Sequence, residues 1–208
     1  MTASNNNTDQ ETVFIVDDDE AVRDSLRWLL EANGYHVRSF DSAEQFLAHY
    51  DRRQVACLIL DVRMPGMNGL ELQEHLLAQN ISIPTIFVTG HGDVPMAVNT
   101  MKKGAMDFIE KPFDAAELRV LVERMLGKAR LDASSQREQQ AADELLARLT
   151  GREQQVLERI IAGRLNKQIA DDLGISIKTV EAHRANIMEK LNVNTVADLL
   201  RLALSKRS

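Results

Sequence analysis

Four acidic residues, one hydroxyl and one lysine carry the chemistry available to the first half of the chain. Asp17, Asp18 and Asp19 directly follow the apolar run Val13–Val16, and Asp61 directly follows the run Cys57–Leu60. Thr89 closes a third run, Thr85–Thr89, and Lys111 stands just after a fourth, Asp107–Ile109. If these runs are parallel strands of one sheet, the side chains meet at its carboxyl edge. Crowded carboxylates are costly unless a cation compensates them, and hard oxygen donors in an open site suit Mg²⁺, which keeps waters and adds a phosphate oxygen. Asp61 stands alone at a strand end, ahead of the turn Met64-Pro65-Gly66-Met67-Asn68-Gly69, where its oxygen is expected to face solvent. Carboxylates form acyl phosphates, which makes Asp61 the candidate nucleophile. A transferring phosphoryl group needs positive charge and donors around its oxygens, and Lys111 and Thr89 supply them. Lys111-Pro112 is also a candidate cis peptide.

The elements that would position these groups are legible as an alternation of short aliphatic runs with amphipathic ones from Thr12 to Leu126. Val13–Val16 is followed by a helical run from Glu20 to Asn33, with Val22, Leu26, Leu29 and Leu30 on one face and Gly34 as its stop. Tyr35–Phe40 reads as the second strand. Helices fit at about 43–50, 69–79 and 95–103, and a last one at 115–126 begins behind Asp114 as N-cap. Nearly continuous apolar strands imply a parallel sheet covered on both faces. The fold class expected is α/β, flavodoxin-like (βα)5 with strand order 2-1-3-4-5, whose ligands bind where the order switches.

Residues 128–148 change character: they lack Pro and Gly and hold almost no large apolar residue until Leu145. Their Ala, Gln, Glu and Arg content predicts a semi-rigid helical linker that continues the preceding helix. Beyond it, Thr150-Gly151-Arg152-Glu153 fits a capping box, opening a helix that ends near Gly163. Further helices are expected at about 166–173, 177–191 and 195–204, with Ser176 and Asn194 as caps. The chain thus divides into 12–127, a linker at 128–148, and a small all-α four-helix domain at 149–208. Within the last, the helices at 166–173 and 177–191 have helix-turn-helix spacing, with Gly174 in the turn and Ile169, Leu173, Val180, Ile187 and Leu191 packing the pair. The second helix then presents Lys178, Thr179, Glu181, Ala182, Arg184 and Ala185, and such a helix enters a major groove. Lys178 and Arg184 suit phosphates or guanine edges, Glu181 suits cytosine N4, and the two alanines allow close approach. Lys167 is a candidate phosphate contact, while His183 falls in the buried row.

These motifs carry a resemblance over nearly the whole chain. Val16-Asp17-Asp18-Asp19, Leu60-Asp61-Val62-Arg63-Met64-Pro65-Gly66, Val88-Thr89-Gly90-His91-Gly92-Asp93-Val94-Pro95 and Asp107-Phe108-Ile109-Glu110-Lys111-Pro112-Phe113 resemble a response-regulator receiver domain of the FixJ type. In that resemblance Asp61 accepts a phosphoryl group from a sensor histidine kinase. Asp18 and Asp61, with the backbone carbonyl of Arg63, ligate Mg²⁺, and Asp17 assists through water. Thr89 and Lys111 bind the phosphoryl oxygens, and Phe108 matches the switch aromatic that fills space vacated by Thr89. Residues 149–191 resemble the LuxR/NarL-type DNA-binding domain, although Glu181 stands where many members carry lysine. The resemblance implies a transcription regulator whose phosphorylation relieves inhibition, promotes a homodimer on a partly palindromic promoter, and engages RNA polymerase.

Composition fits this reading. The net charge of −6 hides an asymmetry: residues 1–127 hold 11 Lys+Arg against 20 Asp+Glu, and residues 128–208 hold 14 against 11. Mild basicity permits nucleic-acid binding in the second half. One cysteine, Cys57, makes no internal disulfide and reads as a buried strand residue. No apolar run approaches the ~18 residues of a membrane span, and the polar start lacks a secretory signal, so a cytoplasmic location is expected. Two other classes compete. One is an Mg²⁺-dependent phosphatase or phosphotransferase using Asp61, against which Arg63 stands where a general acid would be needed. The other is an adaptor whose helical domain binds protein.

Overall fold

The computed structural model describes residues 11–52, 54–90 and 107–204. The helix expected at 95–103 and His91 lie outside these. In chain order the elements are β1 Thr12–Val16, α1 Glu20–Ala32, β2 His36–Phe40, α2 Ala43–His49, β3 Ala56–Asp61, α3 Gly69–Ala78, β4 Thr85–Thr89 and β5 Asp107–Glu110. They continue as α4 Ala115–Leu146, α5 Gly151–Ile161, α6 Asn166–Leu173, α7 Ile177–Lys190 and α8 Val196–Leu204. The chain forms two compact units, Met1–Ala133 and Ser134–Ser208.

The first unit is a flavodoxin-like layer structure around a five-stranded parallel sheet, order β2-β1-β3-β4-β5. Because successive strand side chains point to opposite faces, each central strand feeds two cores. Phe14, Val16, Leu58, Leu60 and Phe87 join α2 and α3 residues such as Phe46, Leu72 and Leu76 on one face. Val13, Ile15, Cys57, Ile59, Ile86 and Val88 join Leu26 and Leu30 of α1 and Leu118, Val122 and Leu126 of α4 on the other. Phe14, Phe40, Phe46 and Tyr50 contact one another edge-on, tilted or stacked, with ring centroids 5.2–6.1 Å apart. Cys57 is buried in β3, and burial pushes its thiol well above the usual range.

Helix α4 is continuous for 32 residues, through the stretch in which Gly and Pro are absent. Asp114 caps it, its Oδ1 accepting from the N–H groups of Ala116 and Glu117 at 2.7 and 3.1 Å. Early residues of the helix belong to the second core of the sheet, whereas Leu145 and Leu146 pack with the core of the second unit. Arg130 forks onto both oxygens of Glu11 at 2.6 and 2.9 Å and onto Glu123 at 3.0 Å, tying the start of β1 to this helix.

The second unit is all-α. Its core collects Val156, Leu157, Ile160, Ile169, Val180, Ile187, Leu191 and Leu199, with Leu173 partly buried against them. The capping box forms: the hydroxyl of Thr150 accepts from the N–H of Glu153, whose carboxylate accepts from the N–H of Thr150. Ser176 caps α7 by accepting from the N–H of Thr179 at 3.1 Å. Asn194 is not the cap of α8; that helix begins one residue later than expected. The hydroxyl of Thr195 accepts from the N–H of Asp198 at 3.1 Å and donates to its carboxylate. Both residues are good caps, and the position of Leu199 in the core selects the register that uses Thr195.

Candidate functional site

The carboxyl edge of the sheet gathers three of the predicted groups. Strands β1 and β3 are adjacent, so Asp17 and Asp61 emerge side by side, and Lys111 arrives from the end of β5. The Lys111 ammonium lies 2.8 Å from Oδ2 of Asp17 and 2.9 Å from Oδ1 of Asp61. The remaining oxygens are also engaged. Asp17 Oδ1 accepts from the N–H of Asp19 at 2.9 Å, and Asp61 Oδ2 accepts from the N–H of Arg63 at 2.8 Å. The Lys111–Pro112 peptide, a candidate for the cis form, is cis.

Asp61 is less open than expected. It is the last residue of β3 and only 7% exposed, because the strand continues one residue further and pairs with Val88 of β4. Burial raises its carboxyl above the ordinary value, against the lowering by the Lys111 hydrogen bond and charge, and Asp17 adds repulsion. Lys111 is itself held above the usual lysine range: both carboxylates favour its charged form and outweigh burial. Among the described residues one ammonium thus serves two buried carboxylates, an arrangement that an additional cation would compensate.

The acidic triplet divides its labour. Asp17 is buried and paired; Asp19 is the N-cap of α1, its Oδ1 accepting from the N–H groups of Ala21 and Val22 at 2.9 and 3.4 Å. Asp18, expected as a direct ligand, is exposed and is not drawn into the Lys111 cluster. Among the described residues no three acidic, histidine or cysteine side chains converge as a closed metal cage. The two hard carboxylates of Asp17 and Asp61 nonetheless fit Mg²⁺, which takes one or two protein carboxylates and completes its shell with waters and phosphate.

Thr89 ends β4 and is fully buried, and its hydroxyl has no hydrogen-bond partner among the described residues. A buried hydroxyl is normally paired, so this orphan is a feature in search of an acceptor. Phe108 is half-buried in β5 opposite Phe87 and packs against the core on the α2–α3 face. Sequence reasoning placed Gly69 at the end of a turn and at the start of the helix expected at 69–79, with no role beyond that. In the structure it is the first residue of α3, and a Cβ there would collide with the carbonyl oxygen of Asp61. Glycine is what lets the helix start against the strand end that bears the candidate nucleophile; its place eight residues after Asp61 was the only available signal.

The second candidate site is the pair α6 and α7. Gly174, in the left-handed conformation at φ +64°, ends α6, and Ser176 opens α7, so the turn has the chemistry expected of it. Val180 and Ile187 are buried, and His183 is half-buried beside their row. Lys167, Lys178, Glu181, Ala182 and Ala185 are exposed, and Arg184 is half-buried. Thr179 is exposed too, but its hydroxyl lies 2.8 Å from that of Ser176, which gives it a capping role. A partly buried tie sequence reasoning missed holds the far end of α7: Lys190 Nζ donates to Glu153 Oε2 at 2.7 Å. With the N–H and hydroxyl of Thr150 also donating, the Glu153 carboxyl is depressed to about 2, Lys190 being the largest cause.

Comparison with known proteins matches both halves. Residues 13–123 match the response regulator receiver domain family, and residues 147–203 match the luxR family of bacterial regulatory proteins. The chain is 43% identical to the transcriptional regulatory protein FixJ of Bradyrhizobium diazoefficiens over 92% of this chain and 94% of that one. It is 44% identical to the response regulator protein TodT of Pseudomonas putida over 91% of this chain and 84% of that one. Among solved structures it resembles the response regulator StyR, with a TM-score of 0.83 and 48% identity over 93% of this chain and 98% of that one. Full-length FixJ from B. japonicum is similar at TM-score 0.57 and 41% identity, covering 96% of this chain and 98% of that one.

Proposed function

Because the chain belongs to the response regulators that join a receiver domain to a luxR-family DNA-binding domain, and is thus a two-component transcription regulator, we propose that Asp61 is its phosphoacceptor. The observation that carries this assignment is the single ammonium of Lys111 between the buried carboxylates of Asp17 and Asp61. A sensor histidine kinase supplies the phosphoryl group. An Asp61 oxygen forms the new bond to phosphorus as the bond from phosphorus to the donor's histidine nitrogen breaks.

Mg²⁺, held by Asp17, Asp18, Asp61 and the backbone carbonyl of Arg63, would neutralise charge on the transferring group. Lys111 turns its ammonium to a phosphoryl oxygen, and the Thr89 hydroxyl donates to another. The site is spent once per transfer and returns only by hydrolysis, so the protein is an acceptor and not a turnover enzyme. Arg63, two residues after Asp61, offers no proton-donating acid to a leaving group, which argues against the phosphatase reading.

Thr89 drawn toward the phosphoryl group leaves room into which Phe108 turns, altering the surface of β5 and its neighbours. That change relieves inhibition of the DNA-binding domain, with residues 12–127 acting as receiver, 128–148 as helical linker and 149–208 as reader. The released protein forms a homodimer, places α7 of each copy in a major groove of a partly palindromic promoter, and activates transcription with RNA polymerase. Lys167 and Arg184 hold phosphates, while Lys178, Thr179, Glu181, Ala182 and Ala185 line the base edges. The described residues contain no helix long and apolar enough to cross a membrane, in keeping with work in the cytoplasm.

The test is incubation with acetyl phosphate and Mg²⁺, recording intact mass and solution size beside Asp61→Asn. A labile phosphoryl adduct on the wild type, absent from the variant and accompanied by a shift to dimer, is expected. An adduct that persists in Asp61→Asn would place the acceptor elsewhere.

A further inference from the structure

Arg23 belongs to α1, and nothing in the phosphoryl chemistry calls on it. Its side chain nevertheless folds back along the helix, and Nη1 donates to the backbone carbonyl oxygen of Asp17 at 2.7 Å. Its own N–H bonds the carbonyl of Asp19 at 3.0 Å, so the same residue helps start the helix and reaches past its start. Asp17 is therefore held at three points: Arg23 on its carbonyl, Lys111 on Oδ2 and the N–H of Asp19 on Oδ1. Asp19 is fixed in turn by the N–H groups it caps. The three-residue loop carrying the acids is closed into a ring of hydrogen bonds, and the guanidinium is the clasp on its outer side.

Resting on the reading of Asp61 as phosphoacceptor, we propose that Arg23 is a positioning residue for the divalent cation of this site. By gripping the Asp17 carbonyl it holds the loop so that the carboxylates of Asp17 and Asp18 are offered together with that of Asp61. Two effects of opposite sign compete at this position. A guanidinium near the site repels a divalent cation, while its hydrogen bond orders the ligands. The repulsion is screened because Arg23 is only half-buried. The bond is charge-assisted and acts on the main chain of a candidate ligand. Losing such an outer partner costs a metal site about 10–100-fold in affinity, so ordering dominates.

The two effects predict opposite outcomes on removal of the side chain. Calorimetric titration of Mg²⁺ into the full-length protein is the measurement, on wild type, Arg23→Ala and Arg23→Lys. Arg23→Ala should bind Mg²⁺ about tenfold more weakly, the lower end of that range. Arg23→Lys, whose ammonium can still donate to the carbonyl, should recover most of the loss. At saturating Mg²⁺ the labelling of Arg23→Ala by acetyl phosphate should return close to the wild-type rate, since the acceptor itself is untouched. Should the alanine variant fail to fold, Arg23→Gln, too short to reach the carbonyl, is expected to show the same weakening. Equal or tighter Mg²⁺ binding in the variant, beside a wild type that binds, would overturn the proposal and leave Asp61 standing as acceptor. A wild type that binds no Mg²⁺ would overturn both.

Discussion

Each unit of this protein buries a carboxylate against a lysine, with opposite results. In the second, Glu153 has Lys190 and both the N–H and hydroxyl of Thr150 to itself, and its carboxyl falls to about 2. In the first, Asp61 shares one ammonium with Asp17, and burial raises its carboxyl in spite of Lys111. The same residue types make a satisfied joint in one place and an under-compensated cluster in the other. The joint ties the start of α5 to the end of α7; the cluster has a demand for positive charge that Lys111, shared between two carboxylates, leaves unmet among the described residues. A buried ion pair is therefore weak ground for inferring either stability or function until its donors are counted against its acceptors.

The largest effect should follow from removing the shared cation. Lys111→Met leaves two buried carboxylates with no ammonium, a change of the kind that costs about 3–5 kcal/mol. All the aromatic residues lie between Phe14 and Phe113, so near-ultraviolet circular dichroism follows the first unit alone. Its melting should drop in the variant, and Mg²⁺ should restore more stability there than in wild type. Asp61→Asn should do the reverse and raise the melting temperature, since it removes the carboxylate whose charged form is disfavoured in the fold. If Lys111→Met melts like wild type without Mg²⁺, the cluster is not under-compensated and the contrast with Glu153 fails.

The next effect in size belongs to Lys190. Lys190→Met removes the strongest donor to Glu153 but leaves Thr150, and should destabilise the second unit by about 1–2 kcal/mol, solvent screening of the partly exposed lysine reducing the effect. Hydrogen exchange of α5 and α7 amides reads this unit separately. The pH dependence follows from the sign of the shift. A carboxyl lowered in the fold contributes stability that is full above its unfolded value of about 4.5 and is lost as pH falls toward 2. The stability difference between wild type and Glu153→Gln should accordingly be greatest near neutrality and shrink between about pH 4.5 and 2. Asp61 has the opposite sign: what it contributes is present at low pH and is lost as pH rises through its raised value.

These contrasts also mark what was legible in the chain and what was not. Interactions closed within a few residues could be read directly: the Thr150–Glu153 box, the Ser176 cap, Gly174 in its turn, and the helical continuation from Leu126 to Leu146. Asp17, Asp61, Thr89 and Lys111 were legible at long range because parallel strands of an α/β sheet deliver their last residues to one edge whatever the loops contain. Lys190 with Glu153, Arg130 with Glu11, and the collision that reserves position 69 for glycine were not. Each depends on the packing angle or register of an element, which no local pattern states. Arg23 with Asp17 spans only six residues and still escaped notice, because an arginine inside a helix has many partners within reach and the sequence does not choose among them. Asp18 is the reverse case: its type and position suit a ligand, and it stays exposed while Asp17 is buried and paired and Asp19 caps α1.

The smallest effects give the sharpest version of the contrast, because one substitution should behave differently in the two units. Thr150→Val removes a hydroxyl that donates to Glu153 at 2.9 Å and accepts from its N–H, and should cost the second unit about 1 kcal/mol. The Glu153 carboxyl should then rise from about 2, yet stay depressed while Lys190 remains. Thr89→Val removes a fully buried hydroxyl that has no partner among the described residues, so it gives up none of the bonds described and should leave the melting of the first unit unchanged or slightly raised. Its loss should appear only once a phosphoryl group needs that donor, as slower labelling by acetyl phosphate and a weaker shift toward dimer. A Thr89→Val variant that is destabilised as much as Thr150→Val would mean that the hydroxyl already has an acceptor in the resting protein. The idea of a donor held in reserve for the phosphoryl group would then be lost.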